Sequence, residues 1–168
     1  MELLHRDEYL RLNDQALLEH CDVQGTKGSG PGGQHRNKTL TGVRVALHPC
    51  NLEIRCTEDR SAHINKHLAL RRLRLALALS IRQTPSPQPV HFPGTQGHVQ
   101  AANAGYPSWI ADVFDRLEVS SGELRPVAEI YGFSPSALFR ILSEEKSVQQ
   151  AFQQLRLRHG KAALKARP

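Results

Sequence analysis

A chain of 168 residues is long enough for one ordinary domain or two small ones. It is 39% apolar and 5% aromatic, which suits a soluble protein with modest cores, and no stretch approaches the ~18 apolar residues of a membrane span. Lys and Arg outnumber Asp and Glu by 22 to 16, a net +6 that favours a polyanionic partner without naming one.

Near the N-terminus the sequence carries early acids and no apolar run, so no signal or transit peptide is expected and the protein reads as cytoplasmic, with no membrane partner. Cys21, Cys50 and Cys56 are odd in number and contain no C-x-x-C pair, so they read as reduced thiols, not as a disulfide frame or zinc site. Asn13 or Asp14 can cap a short helix that runs to about His20. Cys21 to Lys27 reads as a short strand, and a glycine-rich loop follows from Gly28 to Lys38. The run Thr39–His48 alternates, with Leu40, Val43, Val45 and Leu47 as its apolar points, the pattern of a strand. His48 to Asn51 is a turn, after which Leu52, Ile54 and Cys56 alternate with Glu53 and Arg55, so a second strand pairs back as a hairpin. A helix is expected over residues 61–82, with Ser61 at the N-cap and Ile64, Leu68, Leu75 and Leu79 on one face. Between Arg60 and Arg82 there are six basic residues and no acid, which reads either as a solvated helix face or as a surface for phosphates.

Residues 83–107 hold five of the ten prolines and no Lys, Arg, Asp or Glu, the composition of a linker or irregular arm. Beyond it, helices are expected over Ser108–Leu117, Glu123–Tyr131, Pro135 to about Glu145, and roughly Ser147–His159. Trp109, Phe114, Tyr131, Phe133 and Phe139 are the expected aromatic core. The middle pair, joined by Gly132-Phe133-Ser134, has the turn length of a helix-turn-helix. Its second helix offers a single cation, Arg140, so ordinary helix packing and nucleic-acid reading both stay open. The division is thus 1–84 for the first domain, 85–107 for a Pro/Gly-rich linker and 108–168 for a helical domain.

The segment most suggestive of chemistry is Gly28–Thr39. Five glycines lie between Gly25 and Gly33, and the run then changes abruptly to His35-Arg36-Asn37-Lys38. Glycine permits close approach of backbone to a partner. No Gly-Lys-Ser/Thr closes the loop onto a helix, and no helix follows as a dinucleotide fingerprint needs, so neither nucleotide-binding pattern is met. His63 and His67 stand at i and i+4 without a third ligand, so a solvent- or RNA-facing pair is expected in preference to a metal site.

Ser29-Gly30-Pro31-Gly32-Gly33-Gln34-His35, Asn37-Lys38-Thr39, Val43-Arg44-Val45, Asp59-Arg60-Ser61 and Asn65-Lys66, in that order over residues 14–82, resemble the catalytic domain of class I peptide chain release factors and the smaller ribosome-rescue hydrolases built on it. The resemblance implies an α+β fold, a small sheet packed on a helix with a projecting loop, here followed by a small all-α helix-turn-helix-like domain. It implies that Gly32, Gly33 and Gln34 are catalytic, the main-chain N–H at Gln34 stabilising the developing oxyanion or the leaving ribose oxygen. It implies as partners the ribosome, at the RNA of its peptidyl-transferase centre, and peptidyl-tRNA, and it makes Gln34 a target for a methyltransferase. Lys27, His35, Arg36, Asn37, Lys38, Arg60 and Lys66 become the expected RNA contacts. Arg36 departs from the family, which has an apolar residue there. No cofactor and no metal is expected.

Only 31 residues precede Gly32, too few for codon-reading domains upstream, so codon-independent release in rescue of stalled ribosomes is the expectation. The last 16 residues carry five Lys/Arg and no acid, short for a tail that senses an empty messenger channel, which leaves the helical domain to anchor the ribosome or bind another factor. The alternative is a non-catalytic ribosome- or nucleic-acid-binding module that uses the helix-turn-helix.

Overall fold

The computed structural model describes residues 5–27 and 40–164. The chain forms two compact units, Met1–Leu77 and Ala78–Pro168. The first is built from α1 (Arg6–Arg11), α2 (Asp14–Glu19), β1 (Asp22–Thr26), β2 (Gly42–Leu47), β3 (Leu52–Cys56) and most of α3 (Ala62–Ser80). The second holds the end of α3, then α4 (Tyr106–Val119), α5 (Leu124–Ile130), α6 (Pro135–Glu144) and α7 (Lys146–Arg158). This is the expected α+β class, a small antiparallel sheet packed with helices and then several helices.

The sheet has the order β1-β2-β3, both pairs antiparallel. The alternation seen in the sequence sets its register: Val43, Val45 and Leu47 face Cys56, Ile54 and Leu52. All three β2 residues are buried, each apolar side chain contributing about 1.5–3 kcal/mol. On the opposite face Arg44 reaches Glu53 at 2.6 Å and Asp22 at 3.5 Å. Between β2 and β3 a 3₁₀ turn over His48–Cys50 ends at Asn51, whose φ of 51° is left-handed, a conformation asparagine tolerates better than most residues.

Helix α2 is capped as predicted, the Asn13 side chain accepting from Ala16 N at 2.9 Å. The preceding α1 is not apparent in the sequence pattern: it is six residues long and largely charged, and its buried residues are Arg6, Tyr9 and Leu10. Strand β1 is two residues shorter than the predicted Cys21–Lys27.

The buried line of α3 differs from the predicted one. Asn65, Ala69, Leu73 and Leu77, four residues apart, are fully buried, with Leu70 beside them. Ile64 is 45% exposed, and Leu68, Leu75 and Leu79 are only half-buried. Leucine occurs so often in this helix that several i, i+4 lines are apolar. The line chosen is the one that carries Asn65 to its hydrogen-bond partners. The uniformly basic face is also corrected: Arg72 pairs with Glu58 at 2.5 Å, Arg74 with Asp14 at 2.7 Å and Arg82 with Asp115 at 3.4 Å, all acids from outside the helix.

In the second unit α4 begins earlier than predicted, because Pro107 occupies the first turn, where its missing N–H costs nothing. Gly132 (φ 71°) and the Ser134 cap, which accepts from Ala137 N at 3.1 Å, set the turn into α6. Trp109, Phe114, Tyr106 and Phe152 are the fully buried aromatics, while Tyr131, Phe133 and Phe139 are half-buried. Residues 85–107 belong to this unit. Phe92 packs edge-on against Trp109 and Phe133, each at 5.0 Å, and Val90 N donates to Asp112 at 2.8 Å. Asp112, 5% exposed, also accepts from Tyr131 Oη at 2.5 Å and Arg116 Nε at 3.1 Å.

Candidate functional site

Gly32, Gly33, Gln34, His35, Arg36, Asn37 and Lys38 lie outside the described residues. What is described is the pair of stems that carry them. On one side β1 ends at Thr26 and leads to Lys27; on the other, Leu40 and Thr41 lead into Gly42, the first residue of β2.

Each stem is fastened by a different side chain. Arg55 on β3 donates through Nη2 to the Lys27 carbonyl at 3.1 Å. Asn65 donates through Nδ2 to the Thr41 carbonyl at 2.7 Å and the Asp59 carbonyl at 2.7 Å, while its Oδ1 accepts from Asp59 N at 3.0 Å. Asp59 in turn accepts from Ser61 N at 2.7 Å, and Ser61 from Ile64 N at 3.4 Å, which starts α3. Where the stems pair, Gly42 lies opposite Thr26.

Of the predicted RNA contacts that are described, Lys27 and Arg60 are exposed and Lys66 is half-buried. Lys66 lines an open groove of roughly 580 Å³ between α2 and α3, together with Gln15, Leu18, Glu19 and His63. Arg60, Lys66 and Arg71 have no acidic partner among the described residues, unlike Arg72 and Arg74. The basic residues of this region thus divide into those paired with acids and those without an acidic partner among the described residues.

His63 and His67 meet at the rim of the groove with their Nε2 atoms 3.2 Å apart, and Asp14 on α2 holds His67 Nδ1 at 3.0 Å. Among the described residues no three His, Cys, Asp or Glu side chains are grouped to hold a metal ion. All three cysteines are free. Burial pushes the Cys21 thiol up to about 11, and it raises Cys50 and Cys56 as well, so none is an activated nucleophile at neutral pH.

The RF-1 domain matches residues 16–100, just over half of the chain. The chain belongs to this family, that of the class I peptide chain release factor catalytic domain. It is 44% identical over 59 residues to peptide chain release factor PrfB1, chloroplastic, of Arabidopsis thaliana, covering 35% of this chain and 13% of that protein. It is 43% identical over 51 residues to peptide chain release factor 2 of Shewanella baltica, and 45% over 51 to that of Aliivibrio fischeri, covering 30% of this chain and 14% of each relative. The chain thus spans about one seventh of the length of these relatives. No solved structure matches it.

Asn65, Arg55 and Gly42 are the residues of this RF-1 domain whose part in holding the stems sequence reasoning missed. The one available signal was Asn65 itself, a polar residue of modest helix propensity on an apolar i, i+4 line. The bond from Arg55 to Lys27 joins residues 28 apart and leaves no local pattern.

Proposed function

We propose that this protein hydrolyses the ester of peptidyl-tRNA on the ribosome, independently of the codon, in rescue of stalled ribosomes. The observation that carries the reading is Gly32-Gly33-Gln34 within the matched RF-1 domain stretch, between stems fastened by buried and charged side chains. Water attacks the ester carbonyl, the bond to the ribose oxygen breaks, and that oxygen leaves with a proton. The ribosome holds the ester, so the protein supplies placement more than substrate binding. The Gln34 main-chain N–H donates to the oxygen on which negative charge develops, an interaction worth about 10²–10³ in rate. The Gln34 side chain shapes the pocket and admits water; an amide has no pKa that would make it a general base. Lys27, Arg60 and Lys66, with His35, Arg36, Asn37 and Lys38, contact ribosomal RNA. A methyltransferase acting on Gln34 and a further factor bound by the helical unit complete the proposed partners. No helix among the described residues is long and apolar enough to cross a membrane.

Codon-independence rests on the resemblance being to the catalytic domain. The alternative, a non-catalytic module reading nucleic acid through α5 and α6, has less support: Arg140, the cation on α6, already donates to the Gly97 carbonyl at 3.2 Å and contacts His98. The test is release of labelled formylmethionine from ribosomes programmed with truncated, sense or stop-codon messengers. Release on truncated messenger supports the proposal. Release in no case at saturating protein removes the hydrolase, and release at stop codons alone removes the rescue role.

A further inference from the structure

We infer that Asn65 is a positioning residue for the proposed hydrolysis, acting by fixing the Thr41 carbonyl in the stem that leads into β2. The inference rests on the hydrolase reading for its catalytic consequence, but not for its geometry. Asn65 is wholly buried, and a side-chain amide offers two N–H donors and one carbonyl acceptor. All are used: Nδ2 serves the Thr41 and Asp59 carbonyls and Oδ1 takes the Asp59 N–H. One side chain thereby ties three segments together: α3, the connection before it, and the stem two residues beyond Thr39. The opposite stem is held by an exposed bond from Arg55 to Lys27. A bond made by a buried side chain in a part-buried setting is stronger than an exposed one, so of the two fastenings the one at Thr41 is the firmer.

The chemistry admits few substitutes. Leucine keeps the volume but leaves two carbonyls and an amide without the partner they have now. Aspartate could still accept from Asp59 N, but it would set its charge against the carbonyls of Thr41 and Asp59. Displacing a catalytic group by about 1 Å can cost 10²-fold in rate. A loop whose base has lost its anchor should therefore release slowly while still binding through its cations.

The experiment compares the full chain with its Asn65→Leu and Asn65→Asp variants. Single-turnover peptide release and ribosome affinity are measured side by side, with amide hydrogen exchange on the free protein. The expected result is a loss of about 10²-fold in the release rate at unchanged ribosome affinity, with faster exchange at the Gly42 and Asp59 amides and unaltered exchange at Val45 and Leu73. Equal release by wild type and Asn65→Leu overturns the positioning role. If the wild type itself releases nothing, the hydrolase reading fails, and exchange alone decides the anchor: unchanged exchange at Gly42 and Asp59 in Asn65→Leu overturns it. Should both variants unfold, the wild-type side-chain amide still answers. Its Nδ2 protons are expected to be protected from solvent exchange, and free exchange would overturn the inference.

Discussion

Gly42 sits opposite Thr26 in the β1–β2 ladder with no room between them for a side chain: a Cβ there would lie 2.5 Å from Thr26 Oγ1 and 2.9 Å from the Thr26 carbonyl oxygen. It would also come within 2.7 Å of Thr57 Cγ2. Backbone cannot yield as a flexible side chain can, so Gly42→Ala has to part the stems. The expected cost is about 1–3 kcal/mol, that of overpacking a tight site. Chemical denaturation followed by far-UV circular dichroism measures it, with amide exchange at Val43 and Val45 locating the loss. Unchanged stability would show that the stems are not closed as described.

The helical unit should weaken in alkali. Burial and the hydrogen bond to Asp112 raise the Tyr131 hydroxyl above its ordinary range, and burial does the same to Tyr106. A phenol raised in the folded state keeps its proton where the unfolded chain has lost it. Its stability is therefore intact below the unfolded value of about 10 and falls as pH rises beyond that. Urea denaturation followed by the fluorescence of Trp109, the single tryptophan, should show stability level up to about pH 9 and declining from about pH 10 upward. Tyr131→Phe should flatten it; an equal slope in the variant would contradict the assignment.

Arg60 and Lys66 should act through phosphates and not through the fold. Each has no acidic partner among the described residues, whereas Arg74 holds Asp14 and the Leu12 carbonyl. Arg60→Ala or Lys66→Ala should weaken ribosome binding and lower the slope of log affinity against log salt by about one. Thermal stability should not change. Arg74→Ala should show the reverse, loss of stability with a smaller change in the salt slope. If the salt slopes of the Arg60 and Lys66 variants match the wild type, these residues are not the contacts.

Legibility in the sequence follows the range of the interactions. The β3 alternation from Leu52 to Cys56, the Asn13 cap and the Gly132 turn are local, and the structure has them where the pattern put them. The face of α3 was misread because leucines fit more than one i, i+4 line and only the partners of Asn65, as far away as Thr41, choose between them. Asp112 joins Val90, Arg116 and Tyr131 across up to 22 residues, and no periodicity reveals such a hub. At the site the tripeptide reads as a contiguous motif, glycines and an amide beside cations, and it lies outside the described residues. The fastenings of the stems were not legible, since Arg55 and Asn65 reach Lys27 and Thr41 only through the fold.

The proposed chemistry depends on the main-chain amide of Gln34, and Gln34→Pro removes that N–H while leaving Gly32 and Gly33 unsubstituted. Single-turnover release of formylmethionine from ribosomes stalled on truncated messenger, with saturating protein, compares wild type, Gln34→Ala and Gln34→Pro most directly. If the Gln34 N–H acts as proposed, wild type releases rapidly, Gln34→Ala at a reduced rate, and Gln34→Pro about 10²–10³-fold more slowly at undiminished ribosome binding. Release by Gln34→Pro at the wild-type rate would contradict that role.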